Sequence, residues 1–119
     1  LPKWLAQADT ILIPVLPSPI DMRTASHLIY QLMLKFRTTT HDKHIGIVAN
    51  RARMRSHVYQ SLLRFTDQVN IPLLTTLKDS VNYLKGMEQG LSIFDMRNQS
   101  ARSDIEQWIP LTQWLHNFD

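Results

Sequence analysis

Ile45-Gly46-Ile47-Val48-Ala49-Asn50-Arg51 is a short apolar run that stops abruptly in an amide and a guanidinium. Its β-branched residues follow one another without polar alternation, which suits a strand covered on both faces, as parallel strands flanked by helices are. The stretch reads as the central strand of an α/β sheet. In open sheets of that kind ligands collect beyond the carboxyl ends of the strands, which is where Asn50 and Arg51 stand.

Upstream, Ile11-Leu12-Ile13-Pro14-Val15-Leu16 is another run of strand length, and Pro14, lacking an amide donor, places it near an edge or a bend. Before it, Trp4, Leu5 and Ala8 read as the end of a helix. After it, Ser18 is an N-cap, Pro19 suits the first helical position, and Asp21 stands three residues past the cap. Met22, Ala25, Leu28, Ile29, Leu32 and Phe36 then recur on one helical face, and the polar segment Arg37 to Lys43 returns the chain to the central strand.

Downstream the unit repeats. Ser56 caps a helix with Val58, Leu62, Phe65 and Val69 on one stripe, and Asn70 stops it. Ile71 to Thr76 is a third strand, and Asp79 is expected to cap a helix carrying Val81, Leu84 and Met87 up to Gly90. Leu91 to Phe94 reads as extended. A last helix is expected from about Ala101, capped by Ser100 or Ser103, with Pro110 kinking it or marking a fresh start. Its buried side is expected to hold Ile105, Trp108, Ile109, Leu115 and Phe118.

The expected fold class is α/β, a three-layer parallel sheet flanked by helices, amounting to the carboxyl-terminal half of a doubly wound fold. Residues 1–119 form one partial domain in this reading. Half a sheet leaves one edge strand with unpaired backbone groups. The chain begins at Leu1 without Met, so the natural protein is expected to continue upstream, or to pair edge to edge with a copy or companion. Hydrophobic content of 44% supports a core, and no apolar run approaches the roughly 20 residues of a membrane span. There is no secretory signal pattern at the start. The absence of Cys excludes disulfides and thiolate metal sites and fits a reducing compartment.

The net charge of +3 is unevenly spread. Lys35, Arg37, Lys43, Arg51, Arg53, Arg55 and Arg64 are opposed within their stretch by Asp42 alone, whereas acidic residues and no Lys or Arg follow Arg102. Both a phosphate-attracting face and a merely solvated basic surface fit this pattern. His41 and His44 lack a clear third metal ligand and belong in a polar loop. Ser26-His27 and Ser56-His57 are sequence neighbours that do not face each other on a helix, so neither is assigned catalysis.

Three segments taken in order, Ala8 to Ser18, Ile45 to Arg51 and Gly90 to Phe94, resemble the carboxyl-terminal half of the ParA/MinD family of deviant Walker ATPases, specifically the ParA branch. The resemblance covers nearly the whole chain. It implies a protein that couples ATP and Mg to nonspecific DNA binding and segregation of DNA or other cargo. It also implies an ATP-bound homodimer, a stimulating partner of the ParB type, and a cytoplasmic, nucleoid-associated location. In that family a Gly-rich loop with lysines holds the phosphates, because backbone amides, Lys and a metal must offset the triphosphate charge. This chain has three glycines, Gly46, Gly86 and Gly90, and no Gly-Lys-Ser/Thr sequence, so no ATP hydrolysis is expected of it alone.

What the resemblance leaves here is the base-binding side. Asn50 matches the family Asn that pairs with the adenine edge, for which an amide supplies both donor and acceptor. Beside it Arg51, and across from it Leu77, Lys78 and Asp79, match the surroundings of the same base, with Leu77 standing where the family usually carries Pro. A turn-forming Asn is the competing reading of Asn50. Arg51, Arg53, Arg55, Arg64, Lys78 and Lys85 are the candidates for DNA contacts, which weaken steeply with salt as counterions are released.

Two other readings remain open. A MinD-like positioning ATPase would carry a basic amphipathic tail, whereas Asp104, Glu106 and Asp119 stand in the last segment without Lys or Arg, so no membrane partner is expected. A noncatalytic α/β interaction module, degenerate partition-like or receiver-like, would use its exposed sheet edge. A Lys-Gly-Gly-Val-Gly-Lys-Thr-like segment upstream separates the ATPase from the module.

Overall fold

A computed structural model of the protein describes residues 3–36 and 44–117. The predicted connection from Arg37 to Lys43, the side chain of Phe36 and the expected burial of Phe118 lie outside the described residues. A 3-10 turn at Lys3–Gln7 replaces the expected helix end and buries Leu5. Strand β1 (Thr10–Val15), helix α1 (Pro19–Phe36), strand β2 (His44–Ala52), helix α2 (His57–Val69), strand β3 (Leu73–Lys78) and helix α3 (Val81–Gln89) then follow in alternation. Helices α4 (Gln99–Glu106) and α5 (Ile109–His116) complete the described chain.

All strand pairs are parallel, in the order β1-β2-β3, with β2 in the centre as its unbroken apolar run requires. Ile11 lies opposite Ile45, Ile13 opposite Ile47 and Val15 opposite Ala49. These six side chains share one face and meet Ala25, Ile29 and Leu32 of α1 and Leu62 of α2 in the main core. Periodicity located both helices correctly. Ser18 and Asp21 bond reciprocally at the start of α1, the hydroxyl to the carboxylate and the Asp21 amide N–H to Oγ at 3.2 Å. Ser56 caps α2 by accepting from the Tyr59 amide at 3.2 Å, and Asn70 ends it in the left-handed conformation.

The opposite face is covered unevenly. Over β3 and the middle of β2, Val48 and Leu77 pack against Leu111 of α5, with Leu74 and Trp108 beside them. Over β1 nothing among the described residues covers the face, and Leu12 is 39% exposed with Pro14 open beside it. The sheet is thus sandwiched by helices along β3 and bare along β1. Gly46 belongs to this side of the architecture, because a Cβ there would overlap the Leu74 side chain.

Several local expectations are corrected by tertiary contacts. β3 begins at Leu73 rather than Ile71. Ser80, not Asp79, caps α3, because Asp79 is drawn toward arginines across the sheet end. Residues Ile93–Asp95 form a 3-10 turn rather than an extended piece, held by a capping box between Ser92 and Asp95. Asn98 occupies the cap position of α4, instead of Ser100 or Ser103, and Pro110 opens the separate helix α5. Leu111, Ala101 and Asp104 are buried where Ile109 and Leu115 were expected, and those two are exposed. Val58 is likewise exposed. The largest departure is α3, whose buried residues are Asn82 and Gly86, while its apolar stripe Val81, Leu84 and Met87 faces outward.

Candidate functional site

The carboxyl ends of β2 and β3 frame a cleft of about 880 Å³ on the unevenly covered face. Leu12, Pro14 and Val48 form its floor, the α3 stripe Val81, Leu84 and Met87 one wall, and Tyr83, Trp108 and Leu111 the back. Asn50, Arg51, Leu77, Lys78 and Asp79, which are far apart in sequence, all line this one cleft.

Asn50 follows Val48 by two residues, and ordinary strand alternation puts both on the cleft face, just before a bulge. Ala49 lies opposite Thr76 and Ala52 opposite Lys78, so β2 carries one more residue than β3 over this interval. An extra residue reverses the in-out alternation beyond it. Ala52, two residues beyond Asn50, therefore returns to the main core on the other face instead of following it over the cleft. The residue absorbing the change is Arg51, with φ of 49°, a left-handed conformation that costs a non-glycine residue about 1–3 kcal/mol. Asn50 is half-buried, and its amide makes no hydrogen bond to another described residue. A half-buried amide without a partner has its donor and acceptor available to a ligand edge.

The opposite rim is the turn from β3 into α3. Leu77 is buried beneath it. Asp79 attracts Arg51 and Arg53, each at 3.7 Å, and so links the two loops, although exposed pairs of this kind stabilise little. The Lys78 ammonium turns away from the rim to the Asp104 carboxylate at 3.3 Å and Ser103 Oγ at 3.3 Å. Of the remaining basic candidates, Arg55 is exposed in the same loop as Arg51 and Arg53. Arg64 is on α2, on the far side of the sheet, bonded to Ser61 at 3.0 Å, and Lys85 is exposed on α3. The structure gathers Arg51, Arg53 and Arg55 and separates Arg64 and Lys85 from them.

Sequence reasoning missed the groups behind the rim. Asp104 is fully buried and its Oδ2 accepts from Ser80 Oγ at 2.5 Å and Asn82 Nδ2 at 2.8 Å. Gln107 accepts from the Lys78 amide at 2.9 Å through Oε1 and from Thr75 Oγ1 at 2.5 Å through its carbonyl. Trp108 donates to the Tyr83 hydroxyl at 3.1 Å, and Phe94 meets its ring edge-on at 5.7 Å. Burial raises the Tyr83 hydroxyl above its ordinary value, outweighing the Trp108 bond, so the phenol at the back of the cleft is neutral. A Ser directly before Val81 was the one local sign of this arrangement.

Burial by itself would raise the Asp104 carboxyl, but bonds from Asn82, Ser80 and Lys78, with the Lys78 charge, hold it below its ordinary value. A depressed carboxylate stabilises the fold fully above its unfolded-state value, and the contribution is lost as pH falls through the folded value. The melting temperature of wild type should therefore exceed that of Asp104→Asn by a constant margin at neutral pH. The margin should narrow below about pH 4. A margin independent of pH down to complete acid unfolding would show that the charge contributes nothing.

Among the described residues no three His, Asp or Glu side chains gather as a metal site, and no helix is long and apolar enough to cross a membrane. The chain is similar to a protein named for maintaining carboxysome distribution. That relative, maintenance of carboxysome distribution protein A of Halothiobacillus neapolitanus, is 29% identical over 108 residues, covering 88% of this chain and 50% of the relative. The chain spans half the length of the relative it matches. No family model matches it.

Proposed function

We propose that residues 1–119 are the base-facing, carboxyl-terminal half of a ParA-like positioning ATPase. The observation that supports this most directly is the Asn50 side-chain amide, which has no hydrogen-bond partner among the described residues and stands at the tip of the central parallel strand over an apolar cleft. That is where a doubly wound sheet binds ligands. The similarity to a carboxysome-distribution protein supports the same reading and widens the cargo to a large protein assembly as well as DNA.

The residues present fit the base of ATP and not its phosphates. Asn50 offers the paired donor and acceptor that an adenine edge needs, and Leu77 with the α3 stripe supplies apolar surface for the ring faces. The neutral Tyr83 hydroxyl leaves no charge at the back of the cleft. Phosphate binding and Mg belong to a Gly-rich segment outside this chain. ATP, when bound, supplies the difference in free energy that times attachment and release. In the whole protein this implies a homodimer in the ATP state, a ParB-type stimulating partner and a cytoplasmic, nucleoid-associated location. Arg51, Arg53 and Arg55 form the nearest cluster of candidate contacts to nonspecific DNA, with Arg64, Lys78 and Lys85 as further candidates on other elements.

The test is ATP affinity of the natural full-length protein with and without Asn50→Ala. Loss of a base-edge partner in a half-buried site should weaken binding by on the order of 1–3 kcal/mol, roughly fivefold to 150-fold in Kd. Equal affinity of the two proteins would remove Asn50 from the site and the adenine reading with it.

A further inference from the structure

The rim of the cleft opposite Asn50 is held from behind by one carboxylate. Residues 78, 80 and 82 span the end of β3, the cap of α3 and its first turn, and all three reach Asp104. Asn82 is itself buried and is bonded to Ser100 Oγ at 3.1 Å, so the cluster also ties α4 to α3. Asp79, between the residues that reach inward, points outward and takes Arg51 and Arg53 from the bulge that carries Asn50. Asp104 is thus linked to the loop of Asn50 through the backbone of residues 78–80, the bond from the Asp79 amide to the Ala52 carbonyl at 3.0 Å and the Asp79 ion pairs.

Stability alone does not account for a buried charge here. Removing a carboxylate from water costs several kcal/mol, and well-packed apolar residues in place of buried ionic groups are often as stabilising or more so. What the carboxylate adds is direction, because two donors, Ser80 and Asn82, must converge on its Oδ2 from fixed angles while the Lys78 ammonium stands beside Oδ1. Direction matters to an amide ligand. An Asn side chain that is free to turn over presents either its donor or its acceptor to a given edge, so it distinguishes adenine from guanine only if its surroundings hold it and the ring in one arrangement.

We infer that Asp104 is a positioning residue for base selection: by fixing Lys78, Ser80 and Asn82 it sets the cleft wall against which Asn50 reads an adenine rather than a guanine nucleotide. This rests on the base-site reading above. Asp104→Leu keeps shape and removes both acceptor oxygens, which an amide would not, and Lys78, whose side chain is 34% exposed, can turn its ammonium to water instead of being stranded. In the full-length protein, affinities for ATP, GTP and inorganic tripolyphosphate separate base recognition from phosphate binding. With Asp104→Leu, tripolyphosphate affinity should stay at the wild-type value. ATP affinity should fall roughly tenfold and the ATP-to-GTP preference should fall with it.

A folded Asp104→Leu protein with the wild-type preference overturns the inference. So does an equal loss for ATP and tripolyphosphate, which would mark a general structural role. Should Asp104→Leu not fold, Asn82→Ala removes one arm of the cluster without touching the cleft lining, and the same fall in preference is expected of it. An unchanged preference there overturns the inference equally. A wild-type protein that shows no preference for ATP over GTP fails before any substitution is made. That outcome refutes the base site itself and the role of Asp104 together.

Discussion

Leu62→Ala should destabilise the 119-residue chain by about 2–5 kcal/mol, lowering its melting temperature by on the order of 10 °C or more, whereas Leu84→Ala should change it by no more than about 0.5 kcal/mol. Both leucines lie on apolar stripes of amphipathic helices and are equivalent to a reader of periodicity. Leu62 is fully buried between α2 and the central strand, in contact with the cluster that includes Ile47 and Ala49, so its truncation leaves a cavity in the middle of the main core. Leu84 is 57% exposed on the cleft wall, where truncation leaves no cavity. Paired urea melts of the two variants measure the difference directly. Similar losses for both would mean that the outer face of α3 is covered in solution.

Gly86→Ala should destabilise by about 1–3 kcal/mol, the reverse of the usual sign. In the interior of a helix, replacing Gly by Ala ordinarily stabilises by about 0.5–1 kcal/mol, because Gly loses more backbone freedom on folding. Here a Cβ would lie 2.7 Å from the Leu91 carbonyl oxygen, a backbone atom with no rotamer to escape into. The same segment is held close by the bond from the Leu91 amide to the Gly86 carbonyl at 2.8 Å. The chain must cross Gly86 at this separation because Gly90, with φ of 69°, turns it back immediately after α3. The strain would spread into the Ile93–Asp95 turn and the Phe94 ring that meets Trp108. The denaturation midpoint checks it. A midpoint raised by the substitution would place Leu91 elsewhere.

The candidate site was legible in sequence to the extent that it consists of strand ends. Asn50 and Arg51 announce themselves as polar residues closing an apolar run, and Leu77 to Asp79 as the residues leaving the next strand. The bulge that returns Ala52 to the core while Asn50 stays over the cleft was not legible, since it depends on how β2 and β3 are registered. Asp104, Ser80 and Asn82 were equally hidden. Their significance comes from contacts spanning more than twenty residues of sequence, and an isolated Asp in a polar helix has the same local pattern as a solvated one.

The chain's local chemistry by itself determined the alternation of strands and helices, the parallel three-layer class and the inward faces of α1 and α2. Those features follow from the periods of side-chain direction, from caps such as Ser18 and Ser56, and from β-branched runs too apolar for an exposed sheet face. Only tertiary structure decided that the apolar stripe of α3 faces a cleft instead of the core, and that no described residue covers one side of β1. It alone joined a buried carboxylate on α4 to the rim opposite Asn50. Periodicity reports that a helix has an apolar side, but what that side meets is set by the docking of α4 and α5 against β3, through contacts that no short window of sequence contains.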